Sequence, residues 1–219
     1  RASSINLLKV SSSVDISHGD PYPYESRETT HYSVVDGDGN AVSVTTTLNT
    51  GYGSGYVVEK AGFFLNNEMD DFSAKPGVPN VYGLVGNEAN AIQPGKRPLS
   101  SMTPTIVLKD GKPILIIGSP GGSTIITTVM QVVLNVLVYD MSIQQAVTAS
   151  RFHSQWLPDA IMVEPFTIAS DVRENLLHKG HSIKFYRWGY IGQANGITIT
   201  ENGFYGGADS RGENSAVGY

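Results

Sequence analysis

The chain has 219 residues, of which 40% are hydrophobic and 16% charged, and its formal net charge is −5 at pH 7. This length is enough for a substantial core in one domain or two small ones, and the acidic balance gives no basic surface for nucleic acid. The longest apolar run, Ile125 to Tyr139, is interrupted by polar residues and is too short for a membrane helix, so we predict no membrane span. The absence of cysteine excludes disulfides, thiolate metal sites and a cysteine nucleophile.

Residues 1–28 differ from the rest of the chain. A short apolar start is followed by a serine run and a segment with two prolines, which predicts an extended linker facing solvent. Arg1 is not an initiator Met and no signal-peptide layout follows it, so we expect the chain to be a piece of a longer one. The backbone of such a linker is accessible to cleavage by a protease or by the chain itself.

Two hairpins are predicted from Asp-Gly turns between alternating apolar runs. The first has strands Tyr32–Asp36 and Ala41–Leu48, and the second has strands Thr105–Lys109 and Pro113–Gly118. Between the hairpins, roughly Ser73 to Arg97 is polar and rich in Gly and Pro, which is typical of a lid or binding loop.

Three helices and three short strands complete the prediction. The helices begin after candidate caps at Ser123, Ser142 and Ser170 and run to about Tyr139, Ala149 and Lys179. The strands are Ser182–Tyr186, Gly196–Thr200 and Gly203–Tyr205. Hairpins, then helices, then strands indicate a layered α+β fold.

The candidate chemistry begins where the linker meets the first strand, at Glu28-Thr29-Thr30-His31. A threonine hydroxyl is a poor nucleophile unless a base removes its proton. If the bond before Thr29 is cut, its own α-amine becomes that base, since an α-amino pKa of about 7.7–8.0 leaves the amine partly neutral near pH 7. The alternative is that Thr29 and Thr30 only open a strand, where threonine is common.

The histidines give no second site. Adjacent strand residues point to opposite faces, so His31 and Thr30 do not share a site, and we interpret His31 as structural or supporting. The remaining histidines have no metal-ligand spacing beyond a weak His178-x-x-His181, and we predict no metal.

Polar residues recur at four further places. By strand alternation, Thr45, Thr47 and Asn49 share one face, which the hairpin would bring near Thr29. The cluster Asn66–Ser73 is suited to an ammonium group, although a solvated turn or a calcium loop would have a similar composition.

The last two places are a serine pair and a glycine turn. The paired hydroxyls of Ser100 and Ser101 can bind a carboxylate or cap a turn. In the segment Gly118–Thr124, a glycine turn runs from strand into helix, where backbone N–H groups stabilise negative charge and, beside a nucleophile, form an oxyanion hole.

Taken together and in this order, these pieces resemble the γ-glutamyltransferase (γ-glutamyltranspeptidase) family. The matching motifs are Thr29–Val34, Asn66–Phe72, Lys96–Met102, Gly118–Ser123 and Arg151–Pro158, and the resemblance covers essentially all of 29–219. It implies an N-terminal-nucleophile hydrolase, a four-layer αββα sandwich shared between a large and a small subunit. In such a precursor the chain cuts itself between Glu28 and Thr29, so that 1–28 is the tail of the large subunit and 29–219 the small catalytic subunit.

The resemblance also implies roles for individual residues. Thr29 attacks the γ-carbonyl of glutathione or another γ-glutamyl compound, and water or an acceptor amino acid or peptide resolves the resulting ester; no cofactor takes part. The supporting residues are Thr47 for the Thr29 hydroxyl, Asn49, Glu68 and Asp71 for the donor's α-ammonium, Ser100 and Ser101 for its α-carboxylate, and the N–H groups of Gly121 and Gly122 for the oxyanion.

Four further points concern the same resemblance. The segment from about Pro76 to Lys96, with Tyr82, is similar to the lid loop of some bacterial members. Glu68 stands where some members have Gln, and Thr124 where Arg is usual. The family implies a periplasmic or secreted location.

Two alternatives to this interpretation differ in chemistry. A related acylase, cephalosporin acylase-like or polyglutamate-processing, would use the same fold on another donor, but the ammonium-binding set favours a donor with a free amino-acid end. An uncleaved homologue would be a binding protein without catalysis. A fragment that begins at Thr29 distinguishes the enzyme from the binding protein.

Overall fold

The computed structural model describes residues 29–80, 84, 86–155, 159–187 and 189–218. The predicted linker 1–28, and with it the domain boundary after Glu28, lies outside these residues. Within the described ranges, no helix has the length and apolar character needed to cross a bilayer.

The first predicted hairpin is confirmed. Strands β1 (Thr30–Val35) and β2 (Ala41–Thr46) pair antiparallel, with Thr30 opposite Thr46. The Asp36 carboxylate fixes the turn, because it accepts hydrogen bonds from the N–H groups of Asp38 at 3.0 Å and Asn40 at 2.8 Å. β2 ends two residues before the predicted Leu48. A small hairpin that the sequence did not predict follows, β3 (Val57–Val58) with β4 (Phe63–Phe64).

The second hairpin and the two helices after it are also confirmed. β5 (Thr105–Lys109) pairs with β6 (Lys112–Gly118) across a bulge at Val107 and Leu108. Helix α1 (Ile125–Leu137) and helix α2 (Ile143–Thr148) follow. α1 buries an apolar face with helical spacing, at Ile125, Val129 and Val132.

The predicted helix caps meet different outcomes. Ser142 caps α2 in a reciprocal pair with Gln145, each side chain accepting a hydrogen bond from the other residue's N–H. The cap at Ser123 is wrong, because a 3₁₀ turn over Gly122–Thr124 precedes α1 and Thr124 takes the cap position. In the third helix, Ala169 takes the cap position and Ser170 is already helical.

The chain then forms a small three-stranded sheet. β7 (Phe152–His153) pairs antiparallel with β8 (Ile161–Val163), and β8 pairs parallel with β9 (Ile183–Phe185). Helix α3 (Ser170–His178) connects the two parallel strands, as a parallel pair requires a crossover.

The last two strands complete the main sheet. β10 (Asn195–Thr200) and β11 (Gly203–Ala208) join β5 and β6 in a four-stranded antiparallel sheet of order β11-β10-β6-β5. The core lies between this sheet and the helices α1 and α2, and is built from residues such as Leu115, Ile117, Val129 and Val147. The β1–β2 hairpin contacts β6 and β10 on the other side of the sheet, so the described chain forms three layers in the order β, β, α.

Three buried charges and the mostly buried Arg211 join the segment after β11 to the helical layer. Arg151, only 1% exposed, is 2.7 Å from Asp209, and Arg211 is 2.7 Å from Glu164 and 3.0 Å from Asp209. The backbone takes part as well, since Ile191 N–H donates to Glu164 at 2.8 Å. Opposite charges and backbone groups together compensate most of the burial of these side chains, although the buried Arg151 Nε has no hydrogen-bond partner among the described residues.

We expect Asp209→Asn to be strongly destabilising, because it leaves the buried Arg151 without its anionic partner. Removing one member of a buried ion pair costs about 3–5 kcal/mol, and we expect the free energy of unfolding to fall by that amount in urea denaturation. Glu201→Gln, in an exposed turn, is the control and should change it by less than about 0.5 kcal/mol. Equal effects of the two substitutions would contradict the expectation.

Candidate active site

Thr29 lies directly before β1 and faces the residue that follows β2. Because Thr30 pairs with Thr46, the next residues outward, Thr29 and Thr47, meet at the open end of the hairpin. The Thr29 Oγ1 donates a hydrogen bond to the Thr47 Oγ1 at 3.0 Å. The hydroxyl that the sequence suggests as a nucleophile therefore has a fixed hydroxyl neighbour.

Asn49 reaches the same place, but not by the predicted strand alternation. β2 has already ended at Thr46, and Asn49 adopts a left-handed φ of 76°, which Asn tolerates better than most residues. Its N–H donates to the Thr47 Oγ1 at 2.9 Å and its Nδ2 donates to the Asn67 carbonyl at 3.2 Å. A turn, and not a strand face, brings Asn49 to Thr47.

The acidic segment forms a 3₁₀ turn over Glu68–Asp71, in which the Glu68 and Asp71 side chains are hydrogen bonded to each other. Burial, this hydrogen bond and the charge of Asp71 raise the pKa of Glu68 to about 7. Burial also raises the pKa of Asp71; the hydrogen bond with Glu68 opposes that rise and the charge of Asp70 adds to it. The pair therefore holds a proton near neutral pH that a bound cation would displace.

The serine pair lies just before β5. Ser100 Oγ accepts a hydrogen bond from the Met102 N–H at 3.2 Å, and Thr103 Oγ1 donates to the Ser101 carbonyl at 2.9 Å. These local bonds fold the segment into a turn. Ser100 and Ser101 both line the same pocket as Thr29.

The glycine turn leads from β6 into α1. Gly121 has φ 140° and Gly122 has φ 57°, a pair of conformations that residues with a Cβ rarely adopt. Gly122 opens the 3₁₀ turn before α1, where N–H groups are not used by the helix and the helix dipole is positive. This end of α1 is therefore suited to a negatively charged oxygen.

One open pocket brings together seven of the ten predicted site residues. Its lining is Thr29, Thr47, Asn49, Asp71, Ser100, Ser101, Met102, Gly122 and Ile125. Glu68 and Gly121 are not in the lining but adjoin it, Glu68 through its bond to Asp71 and Gly121 through the peptide it shares with Gly122. Tyr82 lies outside the described residues. Met102 and Ile125 were not predicted as site residues, because their only signal in the sequence was their position beside the serine pair and the glycine turn.

His31 lies beneath the hairpin and, as predicted, does not share a face with the exposed Thr30. Its ring is hydrogen bonded to the Thr45 Oγ1 at 2.9 Å and the Ser33 Oγ at 3.0 Å. It fills the space above Gly118, where an added methyl group would lie 2.2 Å from the ring. Burial lowers the pKa of His31 to about 4, so the ring is neutral under ordinary conditions.

The comparisons with known proteins identify the family. The family model described as "Gamma-glutamyltranspeptidase" matches residues 1–219, which is the whole chain. The chain belongs to the γ-glutamyltranspeptidase family. It is 53% identical over 211 residues to the glutathione hydrolase proenzyme of Escherichia coli strain K12, covering 96% of this chain and 36% of that protein. The chain therefore spans about a third of the length of this relative.

Solved structures of the family and of a related enzyme share the fold. A mutant of the Helicobacter pylori γ-glutamyltranspeptidase matches 84% of this chain and 100% of its own, with 56% identity and a TM-score of 0.79. The cephalosporin acylase of Bacillus halodurans matches 84% of this chain and 33% of its own, with 30% identity and a TM-score of 0.72. The predicted fold class, an α+β N-terminal-nucleophile hydrolase, is confirmed.

The neutral state of His31 gives a pH prediction. Below an ordinary His pKa of about 6.5 the unfolded chain binds a proton that native His31 does not bind, so this residue lowers stability as pH falls from about 6.5 towards 4. We expect ring ¹⁵N NMR shifts of His31 to stay at neutral values down to about pH 5. His31→Gln identifies the signal and should remove this part of the acid sensitivity; a His31 ring that titrates near 6.5 would refute the prediction.

Proposed function

We propose that this chain carries the catalytic site of a γ-glutamyltransferase and glutathione hydrolase, with Thr29 as the nucleophile. The observation that carries the proposal is the 3.0 Å contact of the Thr29 and Thr47 hydroxyls. It lies in a pocket that also holds the acidic turn, the serine pair and the glycine turn. Membership of the family and the resemblance to named glutathione hydrolases support it further.

The proposed reaction has two half-steps. The free α-amine of Thr29 takes the proton of its own hydroxyl as the oxygen attacks the γ-carbonyl of the donor. The tetrahedral intermediate collapses to a γ-glutamyl ester on Thr29, and the leaving amine receives the proton. Water, or the amine of an acceptor amino acid or peptide, then attacks the ester, loses a proton to the α-amine and returns the hydroxyl to Thr29.

Three groups of residues would bind the donor. Asn49, Glu68 and Asp71 take its α-ammonium, because amide and carboxylate oxygens accept hydrogen bonds from it. The hydroxyls of Ser100 and Ser101 take its α-carboxylate. The N–H groups of Gly121 and Gly122 stabilise the oxyanion at the positive end of α1. We also propose that Tyr82 belongs to a lid over this site.

The nucleophile requires maturation of a longer precursor. We propose that cleavage between Glu28 and Thr29 frees the amine, and that 1–28 then end the large subunit while 29–219 form the small one. The outward face of the first hairpin supports a large-subunit partner, because Tyr32, Val34 and Val42 are each about half exposed there (50, 52 and 48%). Covering this face with helices would complete the fourth layer of the αββα sandwich.

By the same family resemblance we propose a periplasmic or secreted location. A related acylase is the second candidate function, since the chain also matches a cephalosporin acylase structure. The acidic turn favours the γ-glutamyl donor, because its carboxylates suit the free ammonium of an amino-acid end.

The experiment that tests the function is the release of p-nitroaniline from γ-glutamyl-p-nitroanilide by the complete precursor, with and without glycylglycine. We expect release, acceleration by glycylglycine, and a fragment that begins at Thr29 in mass spectrometry. Thr29→Ala should abolish both cleavage and release, because it removes the attacking oxygen. A continuous chain that still turns over the donor, or a Thr29→Ala protein that still cleaves itself, would refute the proposal. Activity on a cephalosporin side chain alone would favour the acylase.

A pH dependence follows from the shared proton of the acidic turn. Because the pKa of Glu68 is raised to about 7, protonation below that pH removes a negative charge from the proposed ammonium site. We expect the inhibition constant of L-glutamate to fall as pH rises from about 6 to 8, by up to about tenfold per unit below the pKa. An inhibition constant measures binding and not turnover, so its pH dependence does not include the catalytic titration of the Thr29 amine.

Glu68→Gln is the matched variant for this measurement, since it keeps the shape and removes the titrating group. Its inhibition constant should vary much less between pH 6 and 8 (roughly, less than twofold). The same slope in both proteins would show that another group is responsible.

A further inference from the structure

Thr124 is the buried residue that joins the glycine turn to α1. It is 1% exposed and occupies the cap position of the helix, but its hydroxyl does not cap a helical N–H. Instead the Thr124 Oγ1 donates to the Gly121 carbonyl at 2.8 Å, and the Thr124 N–H donates to the same oxygen at 3.1 Å. The Gly121 carbonyl is thus held by two hydrogen bonds from one residue.

The direction of this carbonyl determines the direction of the next N–H group. A peptide unit is planar and trans, so the Gly121 C=O and the Gly122 N–H point to opposite sides. Gly122 lines the pocket with Thr29, while the Gly121 oxygen is turned back to Thr124. A peptide between two glycines rotates more easily than others, because neither residue has a Cβ that restricts φ and ψ.

The surrounding contacts hold the ends of the turn. The Gln193 N–H donates to the Ser119 Oγ at 2.9 Å, and Gly192 packs so closely that a Cβ on Gly121 would lie 3.0 Å from its Cα. These contacts fix where the turn lies. The bonds from Thr124 fix how the peptide between Gly121 and Gly122 is oriented.

We propose that Thr124 is a positioning residue for the oxyanion hole: its hydroxyl locks the Gly121–Gly122 peptide so that the Gly122 N–H faces the carbonyl under attack by Thr29. The inference rests on the proposed function. It predicts that the Thr124 hydroxyl helps to stabilise the transition state and does not strengthen binding of the donor in the ground state.

The test compares Thr124→Val, which keeps the branched shape and removes the hydroxyl, with Thr124→Ser, which keeps the hydroxyl. Both are made in the complete precursor, and rates are normalised to the fraction cleaved at Thr29 by mass spectrometry. Losing an oxyanion donor costs about 100- to 1,000-fold, so a donor that is kept but no longer oriented should cost about 10- to 100-fold. We expect this loss in kcat/KM for γ-glutamyl-p-nitroanilide with Thr124→Val, an unchanged inhibition constant for L-glutamate, and nearly wild-type values for Thr124→Ser.

Thr198→Val, which makes the same change on β10 outside the pocket lining, is the control and should keep wild-type kinetics. Equal losses in Thr124→Val and Thr124→Ser, no loss in either, or weaker glutamate binding in step with the loss of rate would each overturn the inference. If Thr124→Val does not fold, Thr124→Ala against Thr124→Ser decides by the same criteria. An inactive wild-type precursor would instead refute the proposed function, so the two failures are distinguishable.

Discussion

The register of the first hairpin is the constraint on which the site depends. The turn at Asp36–Asn40 pairs Thr30 with Thr46, and this pairing alone brings Thr29 to Thr47. A slip of β1 by one residue would turn each of its side chains to the opposite face. It would then expose His31, which is buried against Gly118, and bury the exposed Tyr32. Packing of the hairpin on the sheet beneath it therefore maintains the register that brings the Thr29 and Thr47 hydroxyls together.

Much of the fold was predictable because local signals and tertiary contacts agree there. Asp-Gly turns predicted both long hairpins, and Ser142 predicted the start of α2. The small sheet β7-β8-β9 was harder to predict from the sequence. β7 and β8 have two and three residues, which is too short for a periodic pattern, and β8 pairs with a strand that lies beyond α3 in the chain, which no local pattern encodes.

The site was predictable as a set of motifs, but not as a geometry. Asn49 belongs to the pocket, yet its place depends on a left-handed turn that alternation along a strand does not describe. Thr124, one of the positions at which we expected a departure from the family pattern, has no local signal for its proposed role. That role becomes visible only when its hydroxyl is seen on the carbonyl of Gly121. Both placements depend on the backbone direction at the end of a strand or the start of a helix, which composition and periodicity do not encode.

Two carboxylate clusters, one buried and one partly exposed, show how the same charge is used in opposite ways. Burial would raise the pKa of Glu164, but the hydrogen bond from Arg211 and the N–H groups of Ile191 and Arg151 bring it below its ordinary value. At Glu68, burial and the neighbouring Asp71 carboxylate raise the pKa of the carboxyl group to about 7. In the first cluster the carboxylates are paired with arginines within the fold. The second is electrostatically unfavourable in the free protein, and a bound cation such as the proposed ammonium group would relieve it.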